Sequence, residues 1–175
     1  ITERGLQKTH EFIETSLYPQ KIGIWVAISR RRIIGPIFFQ EVINGERYRG
    51  ILRQALEQMH DDELQFGYFQ QDGAPAHTAA DTIRYLEEFY GDRIISRALW
   101  PSRTPDLTPL NYYFFGRIKN NIFKQRVHTL EDLEVAIRHE IESIMPIELE
   151  RVFECMKQRV NLCLENEGRH FKHLL

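Results

Sequence analysis

Two stretches of the chain concentrate residue types that can do chemistry. The first, Gln70-Gln71-Asp72-Gly73-Ala74-Pro75-Ala76-His77-Thr78, places a carboxylate at the end of an extended run, a glycine directly after it and a histidine five residues on. Open α/β sheets place their sites at the carboxyl ends of central strands, and a glycine there lets a second backbone or a ligand approach closely. Asp72 has a second reading as a turn residue bonded to its own backbone, and His77 as a hydrogen-bonding group at a helix start. The second stretch, Trp100 to Tyr113, carries Pro101, Pro105 and Pro109. Thr108 reads as an N-cap with Pro109 at the first helical position, so Asn111 falls in the first turn of a helix. A basic turn, Ser29-Arg30-Arg31-Arg32, and Arg103 are candidate phosphate contacts, although a short charge run is more often a solvated turn.

The elements that must position these residues follow from periodicity. Ile22, Ile24, Val26 and Ile28 alternate with Gly23, Trp25 and Ala27, a strand covered on both faces. The arginine turn joins it to a second β-rich run, Ile33 to Phe39, giving a hairpin in which Pro36 marks an edge or a strand end. After Asn44-Gly45, Tyr48, Ile51, Leu52, Ala55, Leu56 and Met59 repeat at helical spacing. Phe66 to Asp72 reads as a third strand and Thr78 to Phe89 as a helix with Ala79, Ile83, Leu86 and Phe89 inward, stopped by Gly91. Arg93 to Arg97 reads as a short fourth strand. Beyond the proline loop the chain is helical. Thr129 and Asp132 make a cap ahead of the stripe Leu130, Leu133, Ile137, Ile141, Ile144, and Pro146 opens a last helix with Leu149, Val152, Phe153, Met156, Val160 and Cys163 inward. Strands with interspersed helices, then helices alone, make an α/β layer structure.

Composition bounds the function. The chain has 175 residues, 42% hydrophobic and 27% charged, enough for one cored domain and unlike a disordered or fibrous chain. The apolar run Ile22 to Ile28 is far short of the ~20 residues that cross a bilayer, and Ile1 to His10 carries no apolar signal region. With 23 Lys and Arg against 25 Asp and Glu, the net charge of −2 supplies no global field for a phosphate backbone, so any DNA contact is local. Cys155 and Cys163 lie eight apart in a helical pattern and read as reduced thiols.

Taken together, the Gln71-Asp72-Gly73-Ala74-Pro75 segment with His77 and the Pro101-Ser102-Arg103-Thr104-Pro105-Asp106-Leu107-Thr108-Pro109 segment resemble the Tc1/mariner superfamily of DNA transposases. Val26 to Ser29, Gly35 to Phe39 and the closing Cys163 to Leu175 segment are similar to the same family. The resemblance implies an RNase H-like mixed sheet flanked by helices over residues 21–175, preceded by an irregular remnant at 1–20. It further implies an acid triad holding two Mg²⁺ or Mn²⁺ ions for DNA cleavage and strand transfer, with transposon-end DNA and a second transposase subunit as partners, and a nuclear location. Two ions clamp the attacking and leaving oxygens of a phosphoryl displacement, and clustered carboxylates offset their charge.

Position by position, Asp72 matches the second acid, and the third acid's position, two residues after Pro109, is Asn111. Residues 73 to 110 separate them, 38 in all. An asparagine offers a metal one neutral oxygen and no charge. One unit charge against a divalent ion about 4 Å away is worth on the order of 8 kcal/mol at an effective dielectric of 20, before solvent relaxation. The family's first acid lies in an opening strand that this chain is expected to lack, since Glu3, Glu11 and Glu14 sit in no β-run. Asp106 resembles a structural aspartate of the loop, and Asp81, Asp92 and Asp132 read as solvated. The expected outcome is a catalytically impaired transposase domain. The alternative is a non-enzymatic remnant that binds nucleic acid or pairs with a full-length transposase.

Overall fold

The computed structural model describes residues 22–96, 99–100, 105–122, 124–125, 127–169, 171 and 173. The expected remnant at 1–20 with Glu3, Glu11 and Glu14, and Arg97, Pro101 and Arg103, lie outside the described residues. Strand β1 (Gly23–Ile28) pairs antiparallel with β2 (Ile33–Phe39) from Gly23 opposite Phe39 to Ile28 opposite Ile33. Ser29 closes the turn, its Oγ accepting from the Arg31 and Arg32 amides. Pro36 lies neither at an end of β2 nor in a continuous ladder. The register shifts between Trp25 and Ala27, and Gly35-Pro36, joined by a cis peptide bond, stands in the resulting bulge, which is where a strand tolerates a residue without an N–H. Gly35 has φ +94°, and a Cβ there would lie 2.9 Å from the Trp25 carbonyl oxygen. Gly23 is needed for a different reason, because a Cβ would fall 2.1 Å from the Phe39 ring.

Alternation along β1 sorts the core. Val26, flanked by Ile24 and Ile28, packs into one cluster with Phe114, Ile118, Ile137, Ile141 and Leu149. Trp25, on the opposite face, packs with Tyr48, Leu52, Phe69, Leu86 and Tyr90. Helix α1 (Gly45–Leu56) supplies Tyr48, Ile51, Leu52, Ala55 and Leu56 as its buried face. It starts three residues earlier than its apolar stripe, since the Asn44 side chain accepts from the Arg47 amide and caps it.

The run from Phe66 to Asp72 is not one strand. Asp61–Phe66 forms helix α2, its first turn closed where Glu63 Oε2 accepts from the His60 amide at 2.9 Å. Only Phe69–Gln70 forms β3, parallel to β4 (Ile94–Ile95). The Gln71 amide still donates to the Ile95 carbonyl, so Asp72 is the first residue past the ladder. The expected helix over 78–89 divides into α3 (Pro75–Thr78) and α4 (Ala80–Tyr90), with extended Ala79 between them. Its inner face is Thr82, Leu86 and Tyr90, so Leu86 of the expected stripe is buried, but Thr82 and Tyr90 stand where Ile83 and Phe89 were expected, and Phe89 is exposed. Gly91 ends α4 with φ +57°.

A 3₁₀ turn at Pro105–Leu107 leads into a π turn at Leu110–Phe114, then α5 (Phe115–Ile122), α6 (Leu130–Glu142) and α7 (Pro146–Glu165). Thr129 caps α6 as expected, its Oγ1 accepting from the Asp132 amide at 3.0 Å. Leu149 and Val152 are the buried residues of α7, while Phe153, Met156, Val160 and Cys163 are half-buried. Arg117 locks these helices together. It donates to Glu140 at 2.8 Å, to Glu148 and to Ser143 Oγ, while Tyr113 donates to Glu148 at 2.6 Å and Asn121 to Glu140 at 2.7 Å. Helices α1 and α4 thus cover one side of the strands and α5–α7 the other. Among the described residues, no helix is long and apolar enough to cross a membrane.

Candidate functional site

Because the β3–β4 ladder ends at Gln71, the next side chain projects from the strand end, and Asp72 is 66% exposed. Its Oδ1 accepts from the Ala74 amide at 3.0 Å and meets His77 Nδ1 at 2.6 Å. A carboxylate can only accept here, so the proton lies on His77 Nδ1. Oδ2 takes no hydrogen bond from any described residue. Both readings of Asp72 therefore hold together: it is an Asx-turn residue through Oδ1 and an exposed strand-end carboxylate through Oδ2.

The loop that carries this pair is fixed from behind by a residue quoted in the motif but given no role from sequence. Gln71 is 5% exposed. Its Nε2 donates to the His77 carbonyl at 2.9 Å and to Ser96 Oγ at 3.4 Å, and its Oε1 accepts from the Tyr48 hydroxyl at 3.0 Å. The Tyr48 ring lies against the His77 imidazole, with centroids 4.1 Å apart. Burial pushes the Tyr48 phenol well above its ordinary range, which keeps it a donor. Tyr48 was legible only as one apolar position of α1. Nothing in its spacing signals that it reaches a loop 23 residues beyond it to meet Gln71.

Asn111 is exposed on the π turn, its amide donating to the Thr108 carbonyl at 2.9 Å. The turn is held against α7: Arg159 donates to the Asp106 carbonyl at 3.0 Å and stacks over the Tyr112 ring at 4.2 Å, and the Tyr112 hydroxyl donates to the Val152 carbonyl. Asp106 enters this framework through its backbone. Asp81 pairs with neighbouring Arg84 on the surface of α4.

The arginine turn is not part of the Asp72 cluster. Arg32 donates to Glu63 through Nε at 3.0 Å and to the Gln58 carbonyl, and this pairing holds the Glu63 carboxyl down at about 2. Arg31 meets Asp62 at 2.7 Å and Arg30 meets Glu154 at 3.3 Å, and these two guanidiniums are 61% and 53% exposed. Exposed pairs of this kind are weak, so both remain exchangeable for a phosphate. Among the described residues, no three His, Cys, Asp or Glu side chains come together as a metal cluster.

No protein-family model matches the chain. The human histone-lysine N-methyltransferase SETMAR is 27% identical over 143 residues, an alignment covering 75% of this chain and 20% of that protein. The chain thus spans about a fifth of the curated relative it matches. Among solved structures, the Mos1 transposase catalytic domain with Raltegravir and Mg superposes with a TM-score of 0.72 at 21% identity, covering 84% of this chain and 75% of that one. The Mos1 strand transfer complex gives 0.73 at 18% identity, covering 97% and 51%. The chain has the fold of the Mos1 mariner transposase catalytic domain and resembles the Tc1/mariner transposases.

Proposed function

We propose that residues 21–175 are a Tc1/mariner-type transposase domain, built for metal-dependent DNA cleavage and strand transfer, whose own catalysis is impaired. The observation that carries this reading is one exposed carboxylate, Asp72, held by Oδ1 with Oδ2 left open, in a fold whose third acid position is the exposed Asn111. In this reading Asp72 Oδ2 would be the charged ligand of a divalent ion of the Mg²⁺ or Mn²⁺ class, and the Asn111 side-chain oxygen would offer it a neutral one. Such an ion supplies Lewis-acid polarisation of a phosphoryl oxygen. A second ion calls for further negative charge, which the described residues do not cluster.

The partner class is transposon-end DNA, in keeping with the strand transfer complex formed by the Mos1 relative, and a second transposase subunit. Of the expected phosphate contacts Arg30, Arg31, Arg32, Arg103 and His77, we keep all but Arg32, whose guanidinium is engaged by Glu63 and the Gln58 carbonyl. The resemblance to the transposase family supports a nuclear location.

Two measurements test the reading. With millimolar Mn²⁺, plasmid nicking by the chain stays at the level of Asp72→Ala. In thermal melts, Mn²⁺ at one hundred times Kd stabilises the chain by about 2.7 kcal/mol, and at the same concentration it stabilises Asn111→Asp more. Asp72-dependent nicking overturns the impairment. Melts indifferent to Mn²⁺ in both chains overturn the metal site and leave the non-enzymatic remnant, which binds nucleic acid or pairs with an intact transposase, as the function.

A further inference from the structure

Five groups converge behind Asp72, and their order is one-way. The His77 carbonyl can only accept, so it takes Nε2 of the Gln71 amide and leaves Oε1 to accept from the Tyr48 hydroxyl. That carbonyl lies in the last turn of α3, where a four-residue helix leaves its final C=O groups without helical partners. Gln71 takes one of them and so ties the end of α3 back to the end of β3, across the loop that carries Asp72. The Tyr48 ring then sets the plane of the imidazole from below, and the imidazole delivers Nδ1–H to Asp72 Oδ1 at 2.6 Å.

We infer that Gln71 and Tyr48 are positioning residues of the site, clamping the α3 turn so that His77 occupies Asp72 Oδ1 and leaves Oδ2 as the oxygen open to a ligand. This rests on the proposed role of Asp72 as the site's carboxylate. Neither residue touches a ligand. Both act through His77, as partners one step behind a ligating group commonly do. The arrangement also explains why a glutamine side chain is buried at this position. Its amide has partners at both ends.

The test pairs an imidazole measurement with metal binding. In ¹⁵N-labelled protein, His77 in its neutral form occupies the Nδ1–H tautomer. Gln71→Met, which keeps the volume and removes the side chain's hydrogen bonds to the His77 carbonyl, Ser96 and Tyr48, shifts it toward the Nε2–H form that free histidine prefers. Mn²⁺ affinity, read by the loss of the free-ion electron paramagnetic resonance signal, falls about tenfold or more in Gln71→Met and less in Tyr48→Phe, the range seen when such supporting groups are removed. Tyr48→Phe keeps the ring and is the milder variant if Gln71→Met does not fold, and it moves the tautomer in the same direction. An unchanged tautomer in a folded variant overturns the inference, as does an unchanged Mn²⁺ affinity where the wild-type chain binds. If the wild-type chain binds no Mn²⁺, the proposed metal site fails, and the tautomer measurement still decides the positioning role.

Discussion

At the scale of single residues, charge pairing at the hairpin turn has a pH signature. Arg32 holds Glu63 at about 2 against an ordinary carboxyl value near 4.5, and the Glu63 side chain is only 11% exposed. A carboxyl depressed on folding stabilises the native state above its unfolded value, and that contribution disappears as pH falls through the folded one. The chain therefore loses about 1–3 kcal/mol from this pair between roughly pH 4.5 and 2. Glu63→Gln lacks that increment at neutral pH and shows a shallower loss in the same window. Urea melts of both chains at pH 7, 4 and 2.5 check it, and equal slopes would exclude the pair as a stabilising contact.

Among elements, the junction of α3 and α4 has the most to explain. A single helix was expected because nothing between Thr78 and Tyr90 is a helix breaker. The break exists because two side chains from outside the turn accept the role of helical amides: Gln71 bonds the His77 carbonyl and Thr82 Oγ1 bonds the Ala76 carbonyl at 2.9 Å. Thr82 is fully buried, so its hydroxyl has no water to fall back on. Thr82→Val keeps the shape and removes the donor to the half-buried Ala76 carbonyl, which costs about 1 kcal/mol. Thr82→Ser keeps the bond and loses only a methyl group. Thermal melts with Ser above Val bear out the hydroxyl's role, and the reverse order would assign the residue to packing.

For the whole molecule, the helices of the carboxyl-terminal half are joined by charge as well as by apolar contact. Glu140 is buried and shares its carboxylate between Arg117 and Asn121, while Glu148 is shared between Arg117 and Tyr113. Burial, together with the hydrogen bond to Glu148, raises the Tyr113 phenol, and the Arg117 cation opposes that rise. Removing the central cation strands Glu140 in a low-dielectric setting, so Arg117→Met destabilises the chain by about 3–5 kcal/mol. Adding Glu140→Gln recovers part of that loss, because the stranded charge goes with it. A double-mutant cycle on denaturant midpoints measures the coupling, and strict additivity would show that the network holds nothing together.

The hairpin, the cap of α6, the proline start of α7 and the two motifs were legible in the sequence because each rests on a neighbour within a few residues. Alternation along β1 even sorted Val26 and Trp25 onto opposite core clusters. Asp72 and His77 were legible as chemistry, and the resemblance to transposases rests on the same short segments. Local signals failed where a long-range partner overrode them. Phe66 reads as a strand residue but ends α2, since Glu63 closes that helix against His60. The Arg30–Arg32 run reads as free basic charge but meets Glu154, Asp62 and Glu63. Gln71 and Tyr48 lie 23 residues apart and meet only when α1 packs on β3. The sequence by itself determined which residues carry charge, where the chain turns and which family it resembles. Only the tertiary structure decided which carboxylate oxygen is held and which is open, because hydrogen-bond geometry depends on neighbours that folding, not chain order, brings together.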